Sequence, residues 1–224
     1  MDINYLHREL ITTEDGSSSL KLLDVEEQYH SIHGARNESL HIYINAGLKY
    51  WSDKAEVHIL EAGFGTGLNA LLTLQQKSSQ VIHYETIEAF PLSMEEVVML
   101  NYISNMDEES KRKYYAMHAC MADKIIRMNE HFYFRKRIDD IRKVALPESQ
   151  YDLVYFDMFS PDIQPDLWSE SVFQKVYRSL KNSGILVTYC AKGDVKRALK
   201  AVGFELESLP GPQGKREITR AIKR

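Results

Sequence analysis

"HILEAGFGTGLNALL", residues 58–72, decides the fold. An apolar, β-rich run ends at a carboxylate, Glu61. Glycines follow at alternate positions, Gly63, Gly65 and Gly67, and a helix-forming segment (67–77) begins at once. Strand, glycine turn and helix in that order open a βαβ unit, whose bare backbone can approach a ligand at the C-terminal end of the strand. The G-x-G-x-G spacing alone is a weak signal, and its context strengthens it. A second strand, "VIHYETIEA" (81–89), ends near an acid, Glu88, 21 residues after Gly67. That offset suits an acid accepting both hydroxyls of a ribose. Glu85 competes for the role, and a solvated strand-end carboxylate is the plain alternative.

The alternation of strands and helices continues outward. Pro91 precedes a helix through about 103, and residues 108–130 read as helical. "HFYF" (131–134) is a short strand, and "YDLVYFD" (151–157) is a strand buried on both faces. Residues 169–180 form an amphipathic helix with Ser169 as cap, "GILVTYC" (184–190) an apolar strand, and 193–203 a helix ending at Gly203. "GFELESL" and "REITRAI" flank the turn-rich "PGPQGK" with no room for a helix, so they should pair as an antiparallel hairpin. Upstream, residues 1–25 read as a β-hairpin turning at Asp15-Gly16. Residues 26–51 carry Ile42, Leu48 and Trp51 at mostly helical spacing. The expected class is α/β: a Rossmann-like sheet with helices on both faces and a C-terminal antiparallel hairpin (51–224), preceded by a hairpin and helical extension (1–50). A terminal hairpin of this kind marks the class I S-adenosylmethionine-dependent methyltransferase sheet. A dinucleotide-binding dehydrogenase continues with parallel units.

The 224 residues suit one such domain, and 44% hydrophobic with 27% charged residues allow a sizeable core. No apolar run nears the roughly 20 residues of a bilayer span. "MDINYLHREL" has no signal-peptide core. A cytoplasmic protein without a membrane partner is expected. Cys120 and Cys190 lack metal-ligand spacing and read as reduced, buried thiols, so no metal is expected. The net charge of −4 argues against a nucleic-acid partner until its distribution is read. Residues 192–224 hold nine Lys/Arg against four Asp/Glu, and "RKRIDDIRK" (135–143) is a second basic cluster. A solvated face explains either cluster alone.

Glu61 bears on the choice of cofactor. A carboxylate beside the glycine loop repels a pyrophosphate and attracts a cationic ligand, such as the amine and sulfonium of S-adenosylmethionine, which favours it over NAD or FAD. The competing reading is that Glu61 caps the following helix.

A second informative stretch is "YDLVYFDMFSPDIQPDLWSESVF" (151–173). The strand ends at Asp157, on the same rim as Glu61 and Glu88. Phe159, Ser160 and Pro161 follow, then Pro165, Leu167 and Trp168. Two prolines stiffen a loop that carries two aromatics, a shaped wall for a planar group. Packing of the loop onto its own helix accounts well for Trp168 and poorly for Asp157 with Phe159.

Four stretches in order now resemble one family: E-x-G-F-G-T-G-L-N (61–69), "IEAFPL" (87–92), "DMFSPDIQPDLW" (157–168) and "GKRE" (214–217). They resemble the methyltransferase module of the tRNA wobble-uridine modification enzymes, the MnmC-like family. "YHSIHGARNESLHIYINAGL" (29–48) is similar to that family's segment before the glycine loop, and the resemblance covers roughly residues 12–222. It implies methyl transfer from S-adenosylmethionine to the amine of 5-aminomethyl-2-thiouridine in the tRNA anticodon loop. It implies a cofactor site of Tyr29, Glu61, Gly63, Gly65, Gly67, Asn69, Glu88, Asp139 and Asp157. Bifunctional members carry an added FAD-dependent oxidase. A chain ending at Arg224 resembles the stand-alone form, so no FAD is expected and a separate oxidase would act upstream. One feature departs from the family: where a Gly-Asp pair usually reads the adenine amino group, "FRKRIDDI" has Lys136-Arg137, with Asp139-Asp140 just after. Adenine recognition is assigned to Asp139 or Asp140.

Methyl transfer to an amine is chiefly a positioning problem, and the amine must be neutral. Asp157 is the candidate for orienting and deprotonating it, with Phe159 and Pro161 walling the base. Binding the cofactor's amine is the alternative role for Asp157. Lys192, Lys196, Arg197, Lys215 and Arg216 flank the rim as candidate RNA contacts, and Glu217 should pair with one of its two basic neighbours. Three rival functions remain: methylation of another RNA or small-molecule amine, aminopropyl transfer of the spermidine-synthase type, and non-enzymatic nucleotide binding. An aminopropyltransferase loop usually carries an acid between its glycines, where this one has Phe64 and Thr66.

Overall fold

The Asp15-Gly16 turn forms as expected, between Arg8–Thr12 (β1) and Ser18–Leu22 (β2), which pair antiparallel. The protein is described by a computed structural model covering residues 7–76 and 79–224. The first six residues of the expected hairpin and residue 77 of the expected helix lie outside the described residues. A two-residue strand, Glu27–Gln28 (β3), completes a small sheet in the order β1-β2-β3. The region with helical spacing is not one helix but three short turns: Ala35–Ser39 (α1), a π-helical turn Leu40–Asn45, and a 3-10 turn Leu48–Trp51. The wide π turn buries Ile42, Tyr43 and Ile44 in succession, and such turns recur at functional sites.

The main sheet begins at Glu56–Ala62 (β4). It continues through Leu68–Leu74 (α2), Val81–Ile87 (β5), Met94–Met99 (α3), Glu108–Ala119 (α4), Ile125–Asn129 (β6), Phe132–Arg137 (β7) and Tyr151–Phe156 (β8). Glu170–Ser179 (α5), Leu180–Thr188 (β9), Gly193–Ala201 (α6), Phe204–Pro210 (β10) and Glu217–Lys223 (β11) complete it. The eight strands lie in the order β10-β11-β9-β8-β4-β5-β7-β6. Neighbours from β9 to β7 pair parallel, and β11 pairs antiparallel with both β9 and β10. The chain leaves β4 towards β5 and β7, then returns to its other side as β8. Ligands of open α/β sheets bind beyond the strand ends at such a switch point. Residues of β8 are buried on both faces, as its apolar run requires.

β6 corrects the helix expected over 108–130. α4 stops at Cys120, Asp123 adopts a positive φ, and Ile125–Asn129 folds back antiparallel on β7. α3 is shorter than expected and opens on a capping box between Ser93 and Glu96. Ser169 stands at the N-cap of α5, but its hydroxyl bonds the Asp166 carbonyl rather than the helix. Two apolar clusters cover the faces of the sheet, one under α2–α4 and the extension, the other under α5 and α6. Among the described residues no helix is long and apolar enough to cross a membrane.

Candidate active site

β4, β5 and β8 end together, and a cleft opens beyond them. Its floor is the loop after β4. Its walls are the loops after β5, β7 and β8 and, opposite them, residues 27–31 and Glu38 of the extension.

Gly63 joins the two central loops. Its N–H donates to the Ile87 carbonyl at 3.0 Å, its φ is +91°, and a Cβ there would collide with the Asp157 carbonyl oxygen. Gly65 donates its N–H to Glu88 Oε2 at 2.8 Å, while Phe90 N–H donates to Glu88 Oε1 at 2.8 Å. The Glu88 carboxylate is therefore fixed in the wall, and each oxygen keeps a lone pair for a further donor. Glu85 is no rival: it is buried at 3.4 Å from Arg137 and 3.5 Å from Arg135, away from the cleft. Asp139 and Asp140 both line the cleft. Asp140 is engaged by Arg142 at 2.7 and 3.0 Å, which holds its carboxyl below the usual range. The Asp139 carboxylate accepts the N–H of Asp140 at 2.7 Å and has no ion-pair partner among the described residues. Lys136 and Arg137 belong to β7, and Lys136 is buried against the His118 carbonyl.

Asp157 stands at the tip of β8, its N–H on the Ala62 carbonyl at 2.9 Å and its Oδ2 accepting from Asn69 Nδ2 at 2.8 Å. Burial pushes its pKa up to about 6, opposed by the Tyr43 hydroxyl and Asn69. Glu61 is the main correction. It is fully buried behind the loop and does not line the cleft, and neither carboxylate oxygen has a hydrogen bond of normal geometry, although Asn69, Thr86 and Tyr84 lie close. Burial and then the neighbouring Asp157 raise its pKa well above the ordinary value, which disfavours the charged form. Nor does it cap α2, whose N-cap is Gly67 without a side-chain bond. Gly67 itself lies outside the cleft lining, against Phe64 and His118.

The loop after β8 is tied down on three sides. Trp168 Nε1 donates to the Phe159 carbonyl and the Tyr189 hydroxyl to the Met158 carbonyl, both at 2.8 Å; Ser160 N–H donates to Glu27 at 3.2 Å. The Phe159 ring meets Tyr29 edge-on at 5.0 Å, and the Tyr29 hydroxyl accepts from Arg8 Nε at 2.9 Å. Pro161 is outside the cleft; Phe159, Ser160, Gln164 and Leu167 form the wall instead. Lys215 does reach the cleft, ion-paired to Glu38 and 4.3 Å over the Tyr189 ring. Lys192 pairs with Asp162 outside it, and Arg216 is exposed. Glu217 pairs with Lys196 at 2.8 Å rather than with its basic neighbours.

Glu38, His30 and Tyr189 line the cleft without having been singled out from the sequence. Tyr189 follows the end of β9, the position where such sheets place functional side chains. His30, buried and pushed down to about 4 by that burial, sits within 3.1 Å of Ser19 Oγ and 3.4 Å of Thr66 Oγ1. No spacing rule brings Glu38 or His30 to the sheet.

The family described as S-adenosyl-L-methionine-dependent methyltransferase matches residues 105–224, more than half of the chain. The chain belongs to that family. Among curated proteins, the methyltransferase is 30% identical over 217 residues to the tRNA 5-methylaminomethyl-2-thiouridine biosynthesis bifunctional protein MnmC of Leptospira interrogans, covering 88% of this chain and 33% of that protein. It is 27% identical over 206 residues to the protein of the same name from Azoarcus, covering 86% and 32%. The chain thus spans about a third of the length of the curated relatives it matches. Among solved structures, MnmC2 from Aquifex aeolicus superposes with a TM-score of 0.77 at 24% identity, over 96% of this chain and 69% of that one. Spermidine synthase from Thermotoga maritima gives 0.57 at 16%, over 98% and 70%. At these identities both structures speak to the fold, that of a Rossmann-like methyltransferase.

The cofactor of the methyltransferase is S-adenosyl-L-methionine, and the cleft suits it. Six carboxylates line it, Glu27, Glu38, Glu88, Asp139, Asp140 and Asp157, against two cationic side chains, Arg142 and Lys215, each already paired with a cleft acid. That surplus favours a cationic nucleoside and opposes a pyrophosphate. The cationic preference expected from Glu61 thus resides in other residues.

Proposed function

We propose that this methyltransferase N-methylates the 5-aminomethyl group of the wobble (2-thio)uridine of tRNA, giving 5-methylaminomethyl-2-thiouridine. The observation that carries the reading is Asp157, set at the end of β8 between the glycine loop and the Tyr29–Phe159 wall. The choice of substrate is supported by the curated relatives, which are named for the biosynthesis of 5-methylaminomethyl-2-thiouridine in tRNA.

Bound S-adenosyl-L-methionine would supply an electrophilic methyl group on a sulfonium. Glu88 would accept the ribose hydroxyls, Asp139 the adenine amino group, and the Gly63–Gly65 backbone with Asn69 and Tyr29 would enclose the remainder. An alkylamine is largely protonated near pH 7. Asp157, its pKa raised towards that of its partner, would take the proton or orient the amine's lone pair. Phe159 would wall the uracil ring, and Lys215, Lys192 and Arg216 would meet the RNA around it. Residues 1–50 serve in this reading as an extension packed on the catalytic domain of 51–224, and an FAD-dependent oxidase activity would supply the primary amine.

The test is incubation with undermodified tRNA and S-adenosyl-L-methionine, followed by mass analysis of the nucleosides. A gain of one methyl on 5-aminomethyl-2-thiouridine is expected. Cofactor binding without that gain would move the enzyme to another RNA or small-molecule amine.

A further inference from the structure

At the end of the sheet away from the cleft, three metal-ligating side chains converge. Glu56 and His58 stand two residues apart on β4 and so share a face, and His83 on β5 is the in-register partner of His58. Glu56 Oε1 lies 2.7 Å from His83 Nε2 and 3.5 Å from His58 Nε2, and the donor atoms of the three residues all fall within 4.8 Å of one another. The two imidazoles stack with centroids 4.4 Å apart and planes 7° from parallel. Tyr133, opposite His83 on β7, continues the stack at 5.1 Å and 10°.

We propose that Glu56, His58 and His83 bind a divalent transition metal of the zinc type, clipping β4 to β5, with water completing its coordination. Two imidazole nitrogens and one carboxylate oxygen are the donor set of open zinc sites. Metal–ligand bonds of about 2.0–2.2 Å in tetrahedral geometry place donors roughly 3.3–3.5 Å apart, so the three donors are near enough to share an ion once the two imidazoles turn out of their parallel stack and their lone pairs converge. An ion pair between Glu56 and His83 explains one contact. It leaves unexplained why the second ring turns the same nitrogen to the same carboxylate. Lys181 does not occupy the site, because it and Lys54 are held by the buried Asp152 carboxylate at 2.8 and 2.5 Å. Asp152 also accepts the His58 N–H at 2.9 Å, fixing the backbone that carries the ligand. All three ligands are partly exposed, which leaves an entry path.

The site lies outside the catalytic cleft, so its test needs no assay of methyl transfer. The full chain, stripped of metal by chelation, is titrated with Zn2+ by calorimetry, beside the double variant His58→Gln/His83→Gln. One Zn2+ per chain at micromolar affinity is expected, with no response to Mg2+ and a rise in melting temperature on adding zinc. In the double variant that Zn2+ should bind at least roughly tenfold more weakly, and the zinc-dependent rise should vanish. Equal stoichiometry and affinity in the two proteins, or no zinc uptake by the parent, overturns the proposal. If the double variant melts lower than the parent in chelator, Glu56→Gln replaces it as the test. The same tenfold weakening is then expected, and unchanged affinity counts against the site.

Discussion

Asp157 is a carboxyl whose burial raises its pKa from 3.8 to about 6 in the folded protein. The folded state therefore binds this proton more tightly than the unfolded chain does. The stability tied to the protonated form is fully present below pH 3.8 and is lost as pH rises through about 6. Asp157→Asn should accordingly raise the melting temperature of the cofactor-free protein at pH 8 and change it little at pH 4; equal melting of the two proteins at pH 8 would mean that ionised Asp157 is not penalised. The same variant separates the two chemical roles. A single-turnover rate roughly 100-fold lower with cofactor affinity intact marks a base for the substrate amine, and a collapse of that affinity marks a ligand of the cofactor. Asp157 and Glu88 were legible because acids at strand ends share one rim. Glu61 was legible as an acid but not as a buried one. Its position in the sequence is fixed, whereas its burial depends on Tyr84, Thr86 and Asn69 closing over it.

The strand–loop–helix unit around β4 was the most readable element, because apolar run, glycines and helix formers agree locally. The elements that depart from expectation need partners. β6 exists because β7 lies beside it, and the turns over 35–51 bend to bury Ile42, Tyr43 and Ile44 against the sheet. Within the glycine loop, the surroundings rank the positions. Both positions have a positive φ, +91° at Gly63 and +49° at Gly65, but a side chain at Gly63 meets backbone, the Asp157 carbonyl, whereas at Gly65 the nearest atom is on the Tyr29 ring at 3.1 Å, which can shift slightly. Gly63→Ala should cost about 1–3 kcal/mol of strain, and at about 2–4 °C per kcal/mol for a chain of this size a clear drop in melting temperature is expected. It should also weaken S-adenosyl-L-methionine binding more than Gly65→Ala does. Calorimetry on both variants checks the order, and the reverse order would show that the junction of the β4 and β8 loops does not shape the cleft.

Charge is distributed over the whole molecule in a way that composition hides. The basic C-terminal stretch has the composition of an RNA footprint, but Lys196, Arg197, Lys192 and Lys215 are each paired with an acid, two of those pairs on one short surface around α6. Paired cations attract phosphate less than isolated ones, and Lys215 belongs to the cleft wall. A Lys215 reversal would therefore place two carboxylates face to face with Glu38 and damage the cleft itself, so it cannot report on RNA binding alone. Arg216, exposed and next in sequence to the cleft residue Lys215, is the cleaner probe. In the tRNA reading, Arg216→Glu should weaken tRNA binding while leaving S-adenosyl-L-methionine affinity unchanged. The slope of log affinity against log salt should flatten by about one for each phosphate that the side chain no longer neutralises. Unaltered tRNA affinity at low salt would remove this face from the footprint. With a net charge of −4 opposing RNA at long range, recognition would then rest on the Phe159 wall, braced edge-on by Tyr29, and on the unstacked base that Phe159 covers.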